Sequence, residues 1–298
     1  MTAPRQVLRG TTYLVTRRCS ERRYFLHPSE KCTATFRYVL AVAAARYEID
    51  VHAFCVMSNH FHLVVTDSHA RLPDFHRYLD GLVARATNAL LGRWESFWDP
   101  DSYSAVRLED AEAVLDKMAY VLANPVAAGL VRRGSEWPGL WSDPGLIGGE
   151  PVLAERPAAF FRKDGPMPPV ARLALVTPPG FEADEAFVER LRERLQDGED
   201  QASARLTAEG RTLFSAPAVL AQDPAAGPAS HEPRRRLDPR VATRNVERRV
   251  AALLRLRDFA RSYREALDAW TEGARDVLFP HGTWLMRVLH AVPCAAGG

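Results

Sequence analysis

The sequence predicts an α+β domain of the ferredoxin-like type, an antiparallel sheet with helices on one face, followed by a C-terminal α-helical extension. Three observations carry this. Short runs of β-branched and aromatic residues alternate with segments of helical periodicity in the order β-α-β-β-α-β-α, and the first six of these form the split βαβ pattern. The second and third strands are separated only by Ser58-Asn59, the mark of a hairpin. Two stretches rich in Pro and Gly, residues 150–180 and 222–239, then precede a long amphipathic pattern over residues 241–276.

Residues 10–19, GTTYLVTRRC, predict the first strand. Residues 29–47 predict a helix, with Ser29 as N-cap and Tyr38, Val39, Leu40, Val42 and Ala43 on its apolar side. Residues 48–57 and His60–Val65 predict the hairpin strands. Residues 71–92 carry Leu72, Phe75, Leu79, Leu82, Val83 and Ala86 at helical spacing. Residues 102–108 predict a fourth strand, and Glu109 to Val121 a helix that Asn124-Pro125 interrupts. The domain division that follows is an α+β domain over 1–145, a linker with short helices over 146–240, and a helical, Arg-rich extension over 241–298.

Composition narrows the classes. The 298 residues carry a net charge of +2, with 47% hydrophobic and 26% charged residues, which fits a globular chain and excludes disordered, collagenous and disulfide-rich classes. None of the four cysteines has CxxC spacing, no apolar stretch is long enough to span a membrane, and no signal-peptide core opens the chain. The expectation is a cytoplasmic protein with no membrane partner. Basic residues are almost all arginine and cluster at Arg17, Arg18, Arg22 and Arg23 and again from Arg234 to Arg249. Residues 234–298 hold 13 basic and 7 acidic residues, a net of +6. That excess suits either grip on a DNA backbone or a docking helix pair.

Two patterns carry chemistry. His60 and His62 are two apart on a strand, so their imidazoles share a face and are able to converge on one cation. The same spacing is what an amphipathic surface strand presents. Tyr120 and Asn124 are four apart and share one face if the helix continues. A tyrosine beside a metal-bound phosphate is a nucleophile able to split phosphoryl transfer into two steps, while a lone helical tyrosine is otherwise a packing residue. His52, Asp67 and Asp101 are accessory candidates, and Trp94, Phe97 and Trp98 offer either base-stacking faces or filler at the sheet end.

The stretches HAFCVMSNHFHLVVT, AYVLANPVAAGLV and GTTYLVTRRCSERRYFL occur in this order. They resemble the histidine–hydrophobe–histidine strand, the tyrosine helix and the first strand of the HUH superfamily of single-strand nucleases. Within it the resemblance is to the single-tyrosine transposases of insertion sequences, and most of all to the REP-associated tyrosine transposases. It covers residues 5–145. It implies a transposase that joins DNA strands through a 5′-phosphotyrosine on Tyr120, with His60 and His62 as metal ligands. Asn124 stands where relatives use a glutamine ligand, and Ser58 where many have proline. Arg17 and Arg18 become phosphate contacts. The implied cofactor is Mg²⁺ or Mn²⁺ rather than thiolate-bound zinc. The implied partner is single-stranded, hairpin DNA, with the protein acting as a monomer or homodimer. A non-mobilising nicking enzyme and a non-catalytic DNA-binding protein of the same fold are the alternatives.

Overall fold

The computed structural model describes residues 4–100, 103–182, 185–229 and 239–297. Asp101 and the Arg234–Arg236 cluster lie outside the described residues. Strands β1 (Thr11–Arg18), β2 (Ile49–Met57), β3 (His60–Asp67) and β4 (Ser104–Leu108) alternate with helices α1 (Glu30–Tyr47), α2 (Leu72–Leu91) and α3 (Ala111–Leu122), as the patterning requires. Ser29 caps α1 by accepting the Cys32 N–H, and Asp110 caps α3 by accepting the Ala113 N–H at 2.8 Å. Asp67, a candidate accessory carboxylate, is instead fully buried and accepts the N–H groups of Arg71 and Leu72, which leads the chain into α2.

The sheet order is β2-β3-β1-β4, antiparallel throughout, which is the ferredoxin-like arrangement. A fifth strand, β7 (Val241–Ala242), adds to the β4 edge in parallel. Side-chain alternation divides β3 between two cores. Phe61, Leu63 and Val65 join α1 and α2 on one face. Val64, with Leu14, Cys55 and Met57, faces α3 on the other. The two ferredoxin helices therefore share one face as predicted, but the opposite face is roofed by α3 rather than left free.

Residues 146–240 are more than a linker with short helices. Strands β5 (Val152–Glu155) and β6 (Val170–Leu173) form a second, two-stranded sheet packed against α1. In place of short helices alone, the segment forms one 24-residue helix, α5 (Glu185–Ala208), followed by the short α6 (Ala216–Leu220). Phe187, Leu191 and Leu195 of α5 bury against α3. The local charge density of α5 hides this apolar stripe in the sequence. In the extension, α7 (Val246–Thr271) and α8 (Leu285–His290) enclose a small core of Ala266, Phe279, Met286 and Val292. Val246, Val250 and Leu254 on α7 stay exposed rather than docking on the main sheet. Among the described residues no helix is long and apolar enough to cross a membrane.

If α5 is part of the core, Leu191→Ala should lower unfolding stability by about 2–5 kcal/mol. Urea titration followed by circular dichroism measures this, and a loss below about 0.5 kcal/mol, the range of surface changes, would show that α5 is a loose appendage.

Candidate active site

The register of β3 places the two histidines. His60 pairs with Met57 and Arg18, and His62 with Cys55 and Thr16, so both rings rise from the α3 face of the central strand. Their centroids are 4.8 Å apart. Tyr120, in the last turn of α3, sets its ring 5.7 Å from that of His62 while remaining 47% exposed. Backbone hydrogen bonds continue from Ala123 N–H to Ala119 through Ala128 N–H to Asn124, so the helical path persists into the short α4 (Asn124–Ala127). This carries the buried Asn124 amide to the side of His60. The four residues singled out by sequence meet at one place.

The imidazoles are held from behind. Asn59 donates through Nδ2 to the Arg22 carbonyl, which turns its Oδ1 toward His60 Nδ1 at 2.7 Å. A carboxamide oxygen only accepts, so Nδ1 of His60 carries the proton and Nε2 keeps its lone pair. His62 Nδ1 lies 2.7 Å from the Thr16 hydroxyl, which is able to accept Nδ1–H and leave Nε2 in the same state. Burial lowers the His60 pKa to about 4, helped by the charges of Arg18 and Arg22 and opposed by Asn124. Burial, with His60 and Arg18, lowers that of His62. Both rings are therefore neutral at physiological pH, as metal ligands must be.

Among the described residues no three His, Cys, Asp or Glu side chains gather to hold a cation. A cation held here would have two imidazole nitrogens and the Asn124 amide oxygen as protein donors, with its remaining positions open to substrate oxygens. That donor set fits a hard divalent cation bound with its substrate. Cys55 is buried in the core and its thiol is pushed up in pKa by that burial, so it supplies no thiolate.

The arginines divide. Arg18 is exposed on the histidine side and lines a small cleft with Arg22, Asn59 and His60. Arg17 points through the opposite face to Asp80, at 3.5 Å, and lies over the Trp98 ring, so it is not beside the site. Arg22, which the sequence shows only as a member of the basic cluster, reaches the cleft from a turn in which both Glu21 and Arg22 have left-handed φ, 52° and 58°. Thr16 was findable from alternation, being two residues before Arg18 on the same strand. Lys117, one turn before Tyr120, holds its ammonium 5.3 Å from the tyrosine ring. His52 is neither beside His60 and His62 nor on the surface. It sits at a β-bulge, buried, between the Val176 carbonyl at 2.7 Å and the Thr66 hydroxyl at 2.8 Å. Phe97 and Trp98 are core filler, and Trp94 alone of that group is exposed.

No protein-family model matches the chain. No curated protein matches it. The chain is similar to transposases of known structure. One is a REP-associated tyrosine transposase bound to a REP hairpin: the match spans 47% of this chain and 81% of that one, at 18% identity and a TM-score of 0.40. Another is a putative transposase from Deinococcus radiodurans, matched over 36% of this chain and 85% of that one, at 22% identity and a TM-score of 0.28.

The histidine environment predicts an acid sensitivity. Because the folded pKa of His60 lies below its unfolded value of 6.5, the unfolded chain binds more protons between the two. This contribution to stability is complete above about pH 6.5 and is lost as pH falls toward 4. Denaturant midpoints of the metal-free protein between about pH 7 and pH 4.5 should fall less in His60→Gln than in wild type. Parallel profiles would reject the buried neutral histidine.

Proposed function

We propose that the chain is a metal-dependent DNA endonuclease and strand-transferase that uses Tyr120 to cut single-stranded, hairpin-bearing DNA during transposition in the cytoplasm. The observation that carries this is the convergence of Tyr120, His60, His62 and Asn124, brought from a strand and a helix on the far side of the sheet from α1 and α2. Such a set has no structural need for an exposed phenol beside two neutral imidazoles. The family resemblance of the three sequence motifs points to the same chemistry.

His60, His62 and Asn124 would hold Mg²⁺ or Mn²⁺. When bound, the cation neutralises charge on the phosphoryl oxygens and orients the scissile bond. The work of the protein is then placement. Asn59 fixes the His60 tautomer, and Thr16 holds the His62 ring in place through Nδ1. Arg18, with Arg22 beside it in the cleft, draws a phosphodiester toward the histidines. Tyr120 Oη attacks phosphorus, the P–O3′ bond breaks, and the departing 3′-oxygen takes up a proton while the 5′ end stays on the tyrosine. The ester bond energy is kept in the phosphotyrosine, so a 3′-hydroxyl of another strand is able to attack it, expel the phenol and seal the joint without a nucleotide cofactor. The hairpin that would be recognised is of the kind bound by the REP-associated transposase.

Tyr120→Phe removes one oxygen from an exposed edge and should leave folding and DNA binding intact while abolishing the covalent adduct with a labelled hairpin oligonucleotide. An adduct formed by this variant at the wild-type rate would falsify the assignment. His60→Ala and His62→Ala should each slow Mg²⁺- or Mn²⁺-dependent cleavage at least about 100-fold, and EDTA should do the same to wild type. Cleavage that persists in EDTA would rule out the metal.

A further inference from the structure

The tyrosine helix carries a second feature that the proposed chemistry does not use. Glu112, Asp116 and Tyr120 follow one another at four-residue spacing, so two carboxylates and the phenol lie along one stripe of α3. In sequence this reads as a solvated acidic face. In the structure both carboxylates are taken up by arginines that arrive from far along the chain.

Arg190 of α5 bonds Glu112 at 2.7 Å. Arg194, one turn further on α5, reaches Glu112 at 3.5 Å and pairs with Asp116. Arg244, from the segment after β7, also pairs with Asp116, its Nη2 donating to Oδ1 at 2.9 Å and its Nε lying 2.6 Å from Oδ2. Arg244 is itself anchored, because it follows β7, whose backbone is tied to β4 by Arg107 N–H to the Arg240 carbonyl and Glu109 N–H to the Ala242 carbonyl. The neighbouring Thr243 hydroxyl bonds Asp110, the N-cap of α3. Asp116 is therefore bracketed by α5 and by the fifth strand, one helical turn before the nucleophile.

Any one such pair at a protein surface adds little stability. Stability is not the quantity at stake. A nucleophile displaced by about 1 Å loses on the order of 100-fold in rate, so what matters is the height and rotation of α3 over the histidines. Two guanidiniums on one carboxylate, one from α5 and one from the segment after β7, tie α3 to both of those elements, and the fork of Arg244, which meets both carboxylate oxygens, adds direction that an ammonium lacks.

We propose that Asp116 is a positioning residue for Tyr120, and that Arg194 of α5 and Arg244 after β7 close on it as a clamp that holds the phenol in register with His60 and His62. This gives the segments beyond residue 180 a part in the reaction without contact with substrate. It rests on Tyr120 being the nucleophile.

The test uses the full chain and a hairpin oligonucleotide taken from DNA flanking the gene, with Mn²⁺. Adduct formation is followed in single turnovers at saturating DNA, hairpin affinity by fluorescence anisotropy, and α3 amide exchange by mass spectrometry. Asp116→Ala should slow adduct formation about 10- to 100-fold at unchanged hairpin affinity and raise exchange in α3. The double variant Arg194→Gln, Arg244→Gln should reproduce this and serves if Asp116→Ala fails to fold. Asp116→Glu, which keeps the charge, should recover most of the rate. A wild type that forms the adduct while the double variant forms it equally fast overturns the clamp alone. A wild type that binds the hairpin yet forms no adduct overturns the nucleophile, and the clamp with it.

Discussion

The architecture depends on one strand being buried on both faces. β3 lies between β2 and β1, and its strict alternation hands Phe61, Leu63 and Val65 to one core and His60, His62 and Val64 to the other. A slip of one residue would put the imidazoles among α1 and α2 and the aromatic ring into the site. Burial of Phe61, which packs edge-on against Phe36 and Trp98, is thus what aims the histidines. Hydrophobic packing on one face determines the chemistry available on the other.

Much of this was legible in the sequence. Elements up to α3 follow from local periodicity, from Ser29 as a cap and from the two-residue break at Ser58-Asn59. The gathering of His60, His62, Tyr120 and Asn124 follows from spacing together with the motif resemblance. What escaped depends on long-range contact. The side to which Arg17 turns is settled by Asp80 on α2, and alternation alone gives only that it differs from Arg18. The burial of His52 depends on a β-bulge and on a carbonyl more than a hundred residues away. The stripe of α5 is masked by its charges, two of which, Arg190 and Arg194, pair with carboxylates of α3. A strand of two residues such as β7 carries no periodicity to read.

The candidate site is supported by hydrogen bonds that reach behind it. Asn59 spends one end on His60 and the other on the Arg22 carbonyl, so the orientation of an imidazole and the path of an arginine-bearing turn are coupled. That turn holds two consecutive non-glycine residues in the left-handed region, at a cost of about 1–3 kcal/mol each. The rest of the fold sustains this conformation beside the histidines, where it brings Arg22 into the cleft.

The fifth strand also imposes an order of events on biosynthesis. Leu108 pairs with Ala242, and these partners leave the ribosome more than a hundred residues apart. At about 5–20 residues per second the interval is on the order of ten seconds, during which the β4 edge is open and Asp116 has no Arg244. Open edges invite pairing with other chains, so this window is the nascent protein's exposure to misassembly. The tyrosine helix gains its complete environment only once the segment through Arg244 has been made.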